Sequence, residues 1–325
     1  MLGPVRAALY ESNGLAGDVL RIAEVDRPEP GPGQVRVKIE VSGVNPTDWK
    51  SRSGATGGPV SGFQIPHHDG AGVIDAVGPG VEPGRVGQRV WTWLAAYGQP
   101  WGTAAEWCVI PGDQAVPIPD GVSAELAASL GVPAMTAHRC LFADGPLRGR
   151  SVLVAGGAGA VGHFAIELAK HAGARVAATV SGPVKADLAA RSGADLVVNY
   201  KDADAADQLA SFAPPDRIVE VALGANLALD LALSGPQTRI VTYASEATDP
   251  VLPVRAAMTA NVSLRFVLLY GVPRAALVQA AADITQALAD GALTELPVIR
   301  FRLDECAAAH DAVQAGAVGK VLVVP

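Results

Sequence analysis

Residues 151–162, Ser-Val-Leu-Val-Ala-Gly-Gly-Ala-Gly-Ala-Val-Gly, run from an apolar strand through a glycine-rich turn toward a helix. Gly157, Gly159 and Gly162 satisfy the pattern G-x-G-x-x-G. In a strand–turn–helix context this pattern constrains the chain to an α/β unit with a parallel sheet and points to a bound dinucleotide. Each glycine has an expected task. Gly157 permits the tight turn, Gly159 lets backbone approach a pyrophosphate, and Gly162 lets the helix pack closely on the strand. The helix N-terminus adds unpaired N–H groups and a partial positive charge for the phosphates. The competing reading is a purely structural turn in a ligand-free α/β domain.

The second strand of the unit, residues 175–180, is followed by Ser181 and Gly182. A site for NAD places an acidic residue near this point to hold the ribose 2′-hydroxyl. Here the next acid, Asp187, lies inside the following helix. A carboxylate at the strand end would repel a 2′-phosphate, so its absence permits NADP. Ser181 can donate a hydrogen bond, and Lys185 can supply a positive charge. A solvated helix-face lysine is the plain alternative for Lys185.

Around this motif, short apolar runs alternate with alanine-rich helical stretches from about residue 123 to 266. Further strands are expected at 196–199, 218–221, 240–243 and 262–266, with helices at 161–171, 185–192, 203–212 and 226–233. Continuous apolar strands alternating with helices indicate a parallel sheet covered on both faces. Residues 35–41 instead alternate apolar and polar with period two after the turn-forming run Pro28-Glu29-Pro30-Gly31-Pro32-Gly33. With short strand candidates at 71–77, 88–92 and 105–110, the first 122 residues read as a compact β-rich, barrel-like domain. Helices at 274–290 and 306–315 and a strand at 320–324 complete the chain.

The charge balance excludes one class of partner. Lys and Arg number 25 against 32 Asp and Glu, a formal charge of −7, whereas a nucleic-acid binder needs a basic footprint. No apolar run reaches the roughly 18 to 20 residues needed to span a bilayer, and the amino-terminal stretch lacks the pattern of a secretory signal. Cys108, Cys140 and Cys306 are too far apart for a disulfide framework or a CxxC zinc module. They are expected to be reduced thiols in a cytoplasmic protein. A short-chain dehydrogenase is excluded because no tyrosine is followed four residues later by lysine.

Several ordered blocks resemble the medium-chain dehydrogenase/reductase superfamily, in its zinc-free, zeta-crystallin-like quinone oxidoreductase branch. They are PEPGPGQVRVK at 28–38, GVNPTDWKSRSG at 43–54, DGAGVIDAVGPGV at 69–81, GVPAMTAHRCL at 131–141, the glycine-rich loop, GADLVVNY at 193–200 and GKVLVV at 319–324. The resemblance spans essentially the whole chain. It implies a GroES-like domain of residues 1–122 and 267–325 and a doubly wound Rossmann domain of residues 123–266 that binds NADPH. Carried over by position, it implies that Asn45 stands beside the nicotinamide and that Thr136 contacts the cofactor near that end. Ala158, Gly159, Ala160 and Val161 would cradle the pyrophosphate, and Ser181, Lys185 and Tyr200 would surround the 2′-phosphate.

The resemblance also bears on metal and reaction. The first ligand position of zinc-dependent relatives corresponds to Asn45, the histidine of their His-Glu pair to His68, and no Cys or His stands near Val132–Pro133. One histidine and one acid do not make a catalytic zinc site, so no metal is expected and His68 becomes a candidate for the substrate pocket. Without a Lewis acid, hydride transfer favours acceptors that are already electron-poor, such as quinones and α,β-unsaturated carbonyls. Asn45 would orient the nicotinamide or bond the substrate oxygen, and Lys50 would stabilise an enolate or supply a proton through water. Trp49, Trp93, Tyr97 and Tyr270 are candidate pocket walls. An NADPH-binding member without turnover is the alternative. The last strand of the cofactor domain reads as an uncovered edge, which suggests a homodimer joined through edge strands.

Overall fold

The computed structural model describes residues 3–245 and 248–325. The chain divides into two compact units, Met1–Val132 with Glu295–Pro325, and Pro133–Thr294. The division differs from the expected boundaries at 122/123 and 266/267. Residues 123–132 lie with the first unit, and residues 267–294 with the second. A physical reason appears inside the second unit. Asp283 accepts a hydrogen bond from His138 at 2.9 Å, and the Thr294 backbone N–H donates to the buried Glu167.

In the first unit, β1 (Val5–Leu9), α1 (Ala16–Val19) and β2 (Arg21–Val25) precede the long strand β3 (Gln34–Val44). Then come α2 (Pro46–Ser53), β4 (Asp69–Val77), β5 (Arg89–Thr92), β6 (Trp107–Pro111), β7 (Ala115–Pro117) and α3 (Ala124–Ala127). The helix α4 (Gly131–Phe142) leads into the second unit. There β8 (Ser151–Val154), α5 (Ala160–His171), β9 (Arg175–Val180), α6 (Pro183–Arg191), β10 (Leu196–Asn199), α7 (Ala205–Ala210) and β11 (Arg217–Glu220) alternate. They continue with α8 (Leu223–Leu233), β12 (Arg239–Thr242), α9 (Val254–Ala260), β13 (Ser263–Phe266) and α10 (Arg274–Ala289). The first unit resumes with β14 (Val298–Arg302), α11 (Cys306–Gln314) and β15 (Lys320–Val324).

The second unit holds one six-stranded parallel sheet in the order β10-β9-β8-β11-β12-β13. Numbered from β8, this is the doubly wound order 3-2-1-4-5-6, which reverses direction between β8 and β11. Val152, Val154, Val176 and Val219 are fully buried, and each contributes about 1.5 to 3 kcal/mol by leaving water. The continuous apolar strands are therefore the signature of a sheet covered on both faces.

The first unit carries a sheet in the order β14-β15-β3-β4-β5-β7, with β6 also paired to β3, and a separate pair β1-β2. Its core gathers Val35, Val37 and Ile39 of β3 with Ile74, Val90, Cys108 and Ile110. Every second residue of β3 here faces inward, as the period-two pattern requires. The terminal strand β15 pairs antiparallel with β3, Val321 opposite Val44 and Val323 opposite Ser42.

One buried pair makes the second unit sensitive to pH. Glu220 ends β11 and Asp230 lies on α8, both buried and hydrogen-bonded to each other through their side chains. Burial, then the charge of Glu220, raises the Asp230 carboxyl far above its ordinary range. Asp230 thus keeps its proton and donates it to Glu220. A folded-state pKa above the unfolded one gives stability that is full at low pH and lost as pH rises through the folded value. Wild-type stability should fall between about pH 4, the unfolded value, and about pH 8, the folded one, and Asp230→Asn, which keeps a donor without the titration, should flatten that fall. Equal slopes for the two proteins in urea denaturation across this range would contradict the assignment.

Candidate functional site

The glycine-rich turn leaves β8 at the point where the strand order reverses. Its sharp bend is at Gly156, which has φ 69°, and not at Gly157 as the motif suggests. Gly157 is a packing glycine: a Cβ there would lie 2.8 Å from the Ala178 Cβ and 3.3 Å from the Ala189 Cβ. Its N–H donates to the Thr179 carbonyl at 2.9 Å, which ties the turn to β9. At Gly162 a Cβ would stand 2.3 Å from the Gly156 carbonyl oxygen, so helix α5 can approach the turn only with glycine there.

Gly159 caps α5, and the first turn of the helix follows with Ala160 and Val161. The His163 N–H is bonded back to the Gly159 carbonyl, so the N–H groups before it have no partner within the helix. Ala158 is buried beneath the turn. This cradle of backbone donors at a helix N-terminus fits a pyrophosphate.

Beyond the turn, β9 and β10 run side by side. The Tyr200 N–H donates to the Val180 carbonyl at 3.0 Å, and Asn199 lies opposite Val180 in the sheet. Ser181 and Lys185, at the entry and first turn of α6, follow directly from β9. The fold thus brings Ser181, Lys185 and Tyr200 to the carboxyl ends of adjacent strands, with the Tyr200 side chain 53% exposed. Thr136 is buried on α4.

In the first unit Asn45 closes β3 and precedes α2, whose first residue is Pro46. The Asn45 amide is held at both ends. Its nitrogen donates to Asp69 Oδ2 at 2.7 Å, and its oxygen accepts from Lys320 Nζ at 2.7 Å. Lys320 also lies 3.1 Å from Asp69 Oδ2, with both side chains essentially removed from solvent. The other oxygen, Asp69 Oδ1, accepts from the Val132 N–H at 2.7 Å. Gly131 makes room for this, because a Cβ there would stand 2.3 Å from Asp69 Oδ1. Burial pushes the Asp69 carboxyl up, while Lys320, Asn45 and Val132 oppose the shift. Asp48 accepts from the Asn45 N–H at 2.7 Å, and burial with the charge of Asp69 raises it to about 8.

His68 is buried, and burial lowers it to about 4, so near neutral pH it is an uncharged imidazole. Lys50, midway along α2, has its ammonium 5.9 Å from the centre of the Trp49 ring. Trp93 is core, while Tyr97 is 55% exposed. The sequence reading missed Gly156, because the motif counts from Gly157. It also missed Lys320, which reads as a mere flank of the apolar strand β15.

Residues 31–120 match the family model of the alcohol dehydrogenase GroES-like domain. Residues 160–286 match that of the zinc-binding dehydrogenase. The chain is 28% identical over 314 residues to the quinone oxidoreductase of Rattus norvegicus, covering 94% of each chain. Among solved structures, a mycobacterial quinone oxidoreductase is 31% identical, with 99% of this chain and 100% of that one covered and a TM-score of 0.83. A mycobacterial protein complexed with NADPH is 30% identical with the same coverage and a TM-score of 0.84.

Catalytic zinc does not suit the residues that the resemblance sets at its ligand positions, Asn45 and His68 with Asp69 beside it. Asn45 offers a neutral amide whose oxygen is taken by an ammonium, and Asp69 is bonded to that same ammonium. A dication would have to displace Lys320 from a buried pair while finding only His68 as a nitrogen ligand, short of the three protein ligands that catalytic zinc takes.

Removing Lys320 should therefore be costly. Truncation of one partner of a buried ion pair typically costs about 3 to 5 kcal/mol, because the other charge is left uncompensated. Lys320→Met should lose stability of that order in urea denaturation, and the double variant with Asp69→Asn should regain part of it. A single variant as stable as wild type would contradict this account of the pair.

Proposed function

Because the chain belongs to the medium-chain dehydrogenase/reductase superfamily, in its zeta-crystallin-like quinone oxidoreductase family, we propose that this oxidoreductase uses NADPH to reduce quinones or α,β-unsaturated carbonyls, and does so without zinc. The observation that carries the reading is the Lys320 ammonium held by Asn45 and Asp69. By the resemblance Asn45 and His68 take the places of metal ligands in zinc-dependent relatives, so in this reading no Lewis acid ionises a simple alcohol.

NADPH supplies the hydride. The chain's own residues bind and orient. The turn from Gly156 to Gly162 receives the pyrophosphate, and Thr136 serves the nicotinamide end. Ser181, Lys185 and Tyr200 receive the 2′-phosphate, which no acid after Val180 repels. Asn45 has two amide hydrogens and gives one to Asp69, leaving one for a substrate carbonyl oxygen. A donor of this kind in a water-excluded site contributes about 2.7 to 4 kcal/mol. Lys50 is the proposed proton source, acting through water. His68 contributes a neutral wall of the substrate pocket rather than a proton, since burial keeps it uncharged.

Absorbance of NADPH followed with quinones, enones and primary alcohols tests the reading. Quinones or enones should be reduced, alcohols left unoxidised, and turnover should survive EDTA. Lys185→Ala should weaken NADPH about ten- to a hundred-fold, the worth of a charge-assisted hydrogen bond, and leave NADH nearly unchanged. Alcohol oxidation abolished by EDTA would defeat the proposal, and so would NADPH binding without turnover of any acceptor.

We also propose a homodimer joined at β13. That strand is the edge of its sheet, and its neighbourhood exposes Val251, Leu252, Met258, Phe266 and Leu268, with Phe266 at 72%. An uncovered edge with apolar side chains favours pairing with a second copy. Sedimentation should give twice the chain mass, and Leu264→Pro, which removes a ladder donor, should give monomer. A wild-type monomer at micromolar concentration would rule this out.

A further inference from the structure

The first unit buries a second polar cluster, distinct from Asn45, Asp69 and Lys320. Cys306 and His310 are four residues apart on α11 and therefore share a face of that helix. His67 enters from the segment before β4. Cys306 Sγ, His67 Nε2 and one ring nitrogen of His310 lie within 4.8 Å of one another, and all three residues are buried. His67 Nε2 is 3.0 Å from His310 Nε2 and 3.9 Å from Cys306 Sγ. Apolar side chains enclose the group, among them Ile65, Leu303 and Val321.

A chain of hydrogen bonds fixes where the His67 proton is. The Thr103 hydroxyl donates to the Asp69 carbonyl. Ser42 must then donate to Thr103 Oγ1, 2.7 Å away. With its own proton committed, Ser42 Oγ accepts from His67 Nδ1–H at 2.8 Å. His67 Nε2 is left with a lone pair aimed at His310 and Cys306. A histidine that donates from one ring nitrogen and presents the other bare is arranged as metal-bound histidines are. His67 also has φ 76°, a left-handed conformation that costs a residue with a Cβ about 1 to 2 kcal/mol. Strain of this kind persists only where the surroundings enforce it, and it gathers at functional positions.

Ligand type and charge select the occupant. Two imidazoles and a sulfur suit soft or borderline ions. Metal–ligand bonds of about 2.0 to 2.3 Å place ligand atoms around one ion about 3.3 to 3.8 Å apart, so the His67–His310 pair at 3.0 Å would open slightly and the His67–Cys306 pair at 3.9 Å close slightly, with all three atoms already within 4.8 Å of one another. In so buried a site an uncompensated charge is expensive. Copper(I) with the Cys306 thiolate sums to zero, whereas zinc(II) would leave a net positive charge where the Arg52 guanidinium acts on Cys306 and His310, and where Asp48, the nearer influence on Cys306, is held largely protonated by burial.

We propose that His67, His310 and Cys306 form a buried three-coordinate site for copper(I), outside the catalytic residues and independent of the reaction assigned above. On binding, one Cu–S and two Cu–N bonds form, the Cys306 S–H bond breaks, and its proton leaves to solvent. The His310 proton, which donates from Nε2 to His67 Nε2 in the metal-free chain, moves to Nδ1, an atom with no hydrogen-bond partner among the described residues. Copper stays in the +1 state, so no oxidant or reductant is required.

Anaerobic competition against the chromophoric copper(I) chelator bathocuproine disulfonate tests the site. The wild-type chain should withdraw one copper(I), with one sulfur and two nitrogen neighbours in its X-ray absorption spectrum. Cys306→Ser should bind at least a hundred-fold more weakly. Ser42→Ala, which removes the partner of His67 Nδ1 and one bond to Thr103, should lose about ten- to a hundred-fold, with quinone or enone turnover unchanged in the metal-free protein. Should Cys306→Ser not fold, Ser42→Ala and His310→Gln carry the comparison. Failure of wild type to compete, equal binding by folded Cys306→Ser, or preference for zinc(II) would each overturn the proposal.

Discussion

The carboxylate of Asp69 is the constraint on which the first unit depends. It has no access to water, so each of its oxygens must be met from within. The donors come from far along the chain: the Asn45 amide after β3, the Val132 N–H in the first turn of α4 and the Lys320 ammonium at the start of β15. An unmet buried charge would cost several kcal/mol, so these segments have to converge for the unit to exist. The return of the chain's last strand to β3 is thus an electrostatic requirement as well as a matter of sheet pairing. Leu322 and Val323, fully buried on that strand, add the apolar part.

The two units handle buried acids by different means. Asp69 is met by a cation and by donors, whereas Asp230 keeps its proton and gives it to Glu220. Only Glu220 has further donors, the Ala222 N–H and the Asn226 amide. Two carboxylates with no cation beside them cannot both ionise in a medium of low dielectric. The first arrangement is an ion pair, whereas in the second the two carboxyls share one proton.

Much of the second unit was legible in its sequence. Strands β8 to β12 are apolar runs of four to six residues, and the strand–turn–helix setting of the glycine motif placed the dinucleotide loop. What escaped was set by tertiary contact. Gly156 takes the left-handed bend because β8 must turn under Thr179, and nothing in the spacing of the motif distinguishes it from Gly157. The unit boundary escaped because α10 has the same pattern of buried alanines and leucines whichever unit it joins. Only contacts such as His138–Asp283 assign it. In the first unit β2 and β14 are short and half-exposed, and β1, though mostly buried, is only five residues long and lacks the alternation that marks β3. Lys320 is the sharpest omission, since a lysine before four apolar residues looks like a solvated flank until its partner across β3 is known.

His67, His68 and Asp69 show how one short segment serves three environments. His67 turns left-handed and faces α11, His68 is held neutral by burial, and Asp69 faces Lys320. Thr103 links the outer two: its N–H donates to the His67 carbonyl and its hydroxyl to the Asp69 carbonyl. Through Ser42 the same hydroxyl decides which nitrogen of His67 carries the proton. The backbone position of Asp69 and the tautomer of His67 are therefore set by a single hydrogen-bond chain. A change at Thr103 would reach both at once, although its side chain touches neither the Asp69 carboxylate nor Cys306. Two chemically opposed centres, one closed by an ammonium and one presenting lone pairs, can stand this near each other in the chain because that hydroxyl chain fixes the direction of every proton between them.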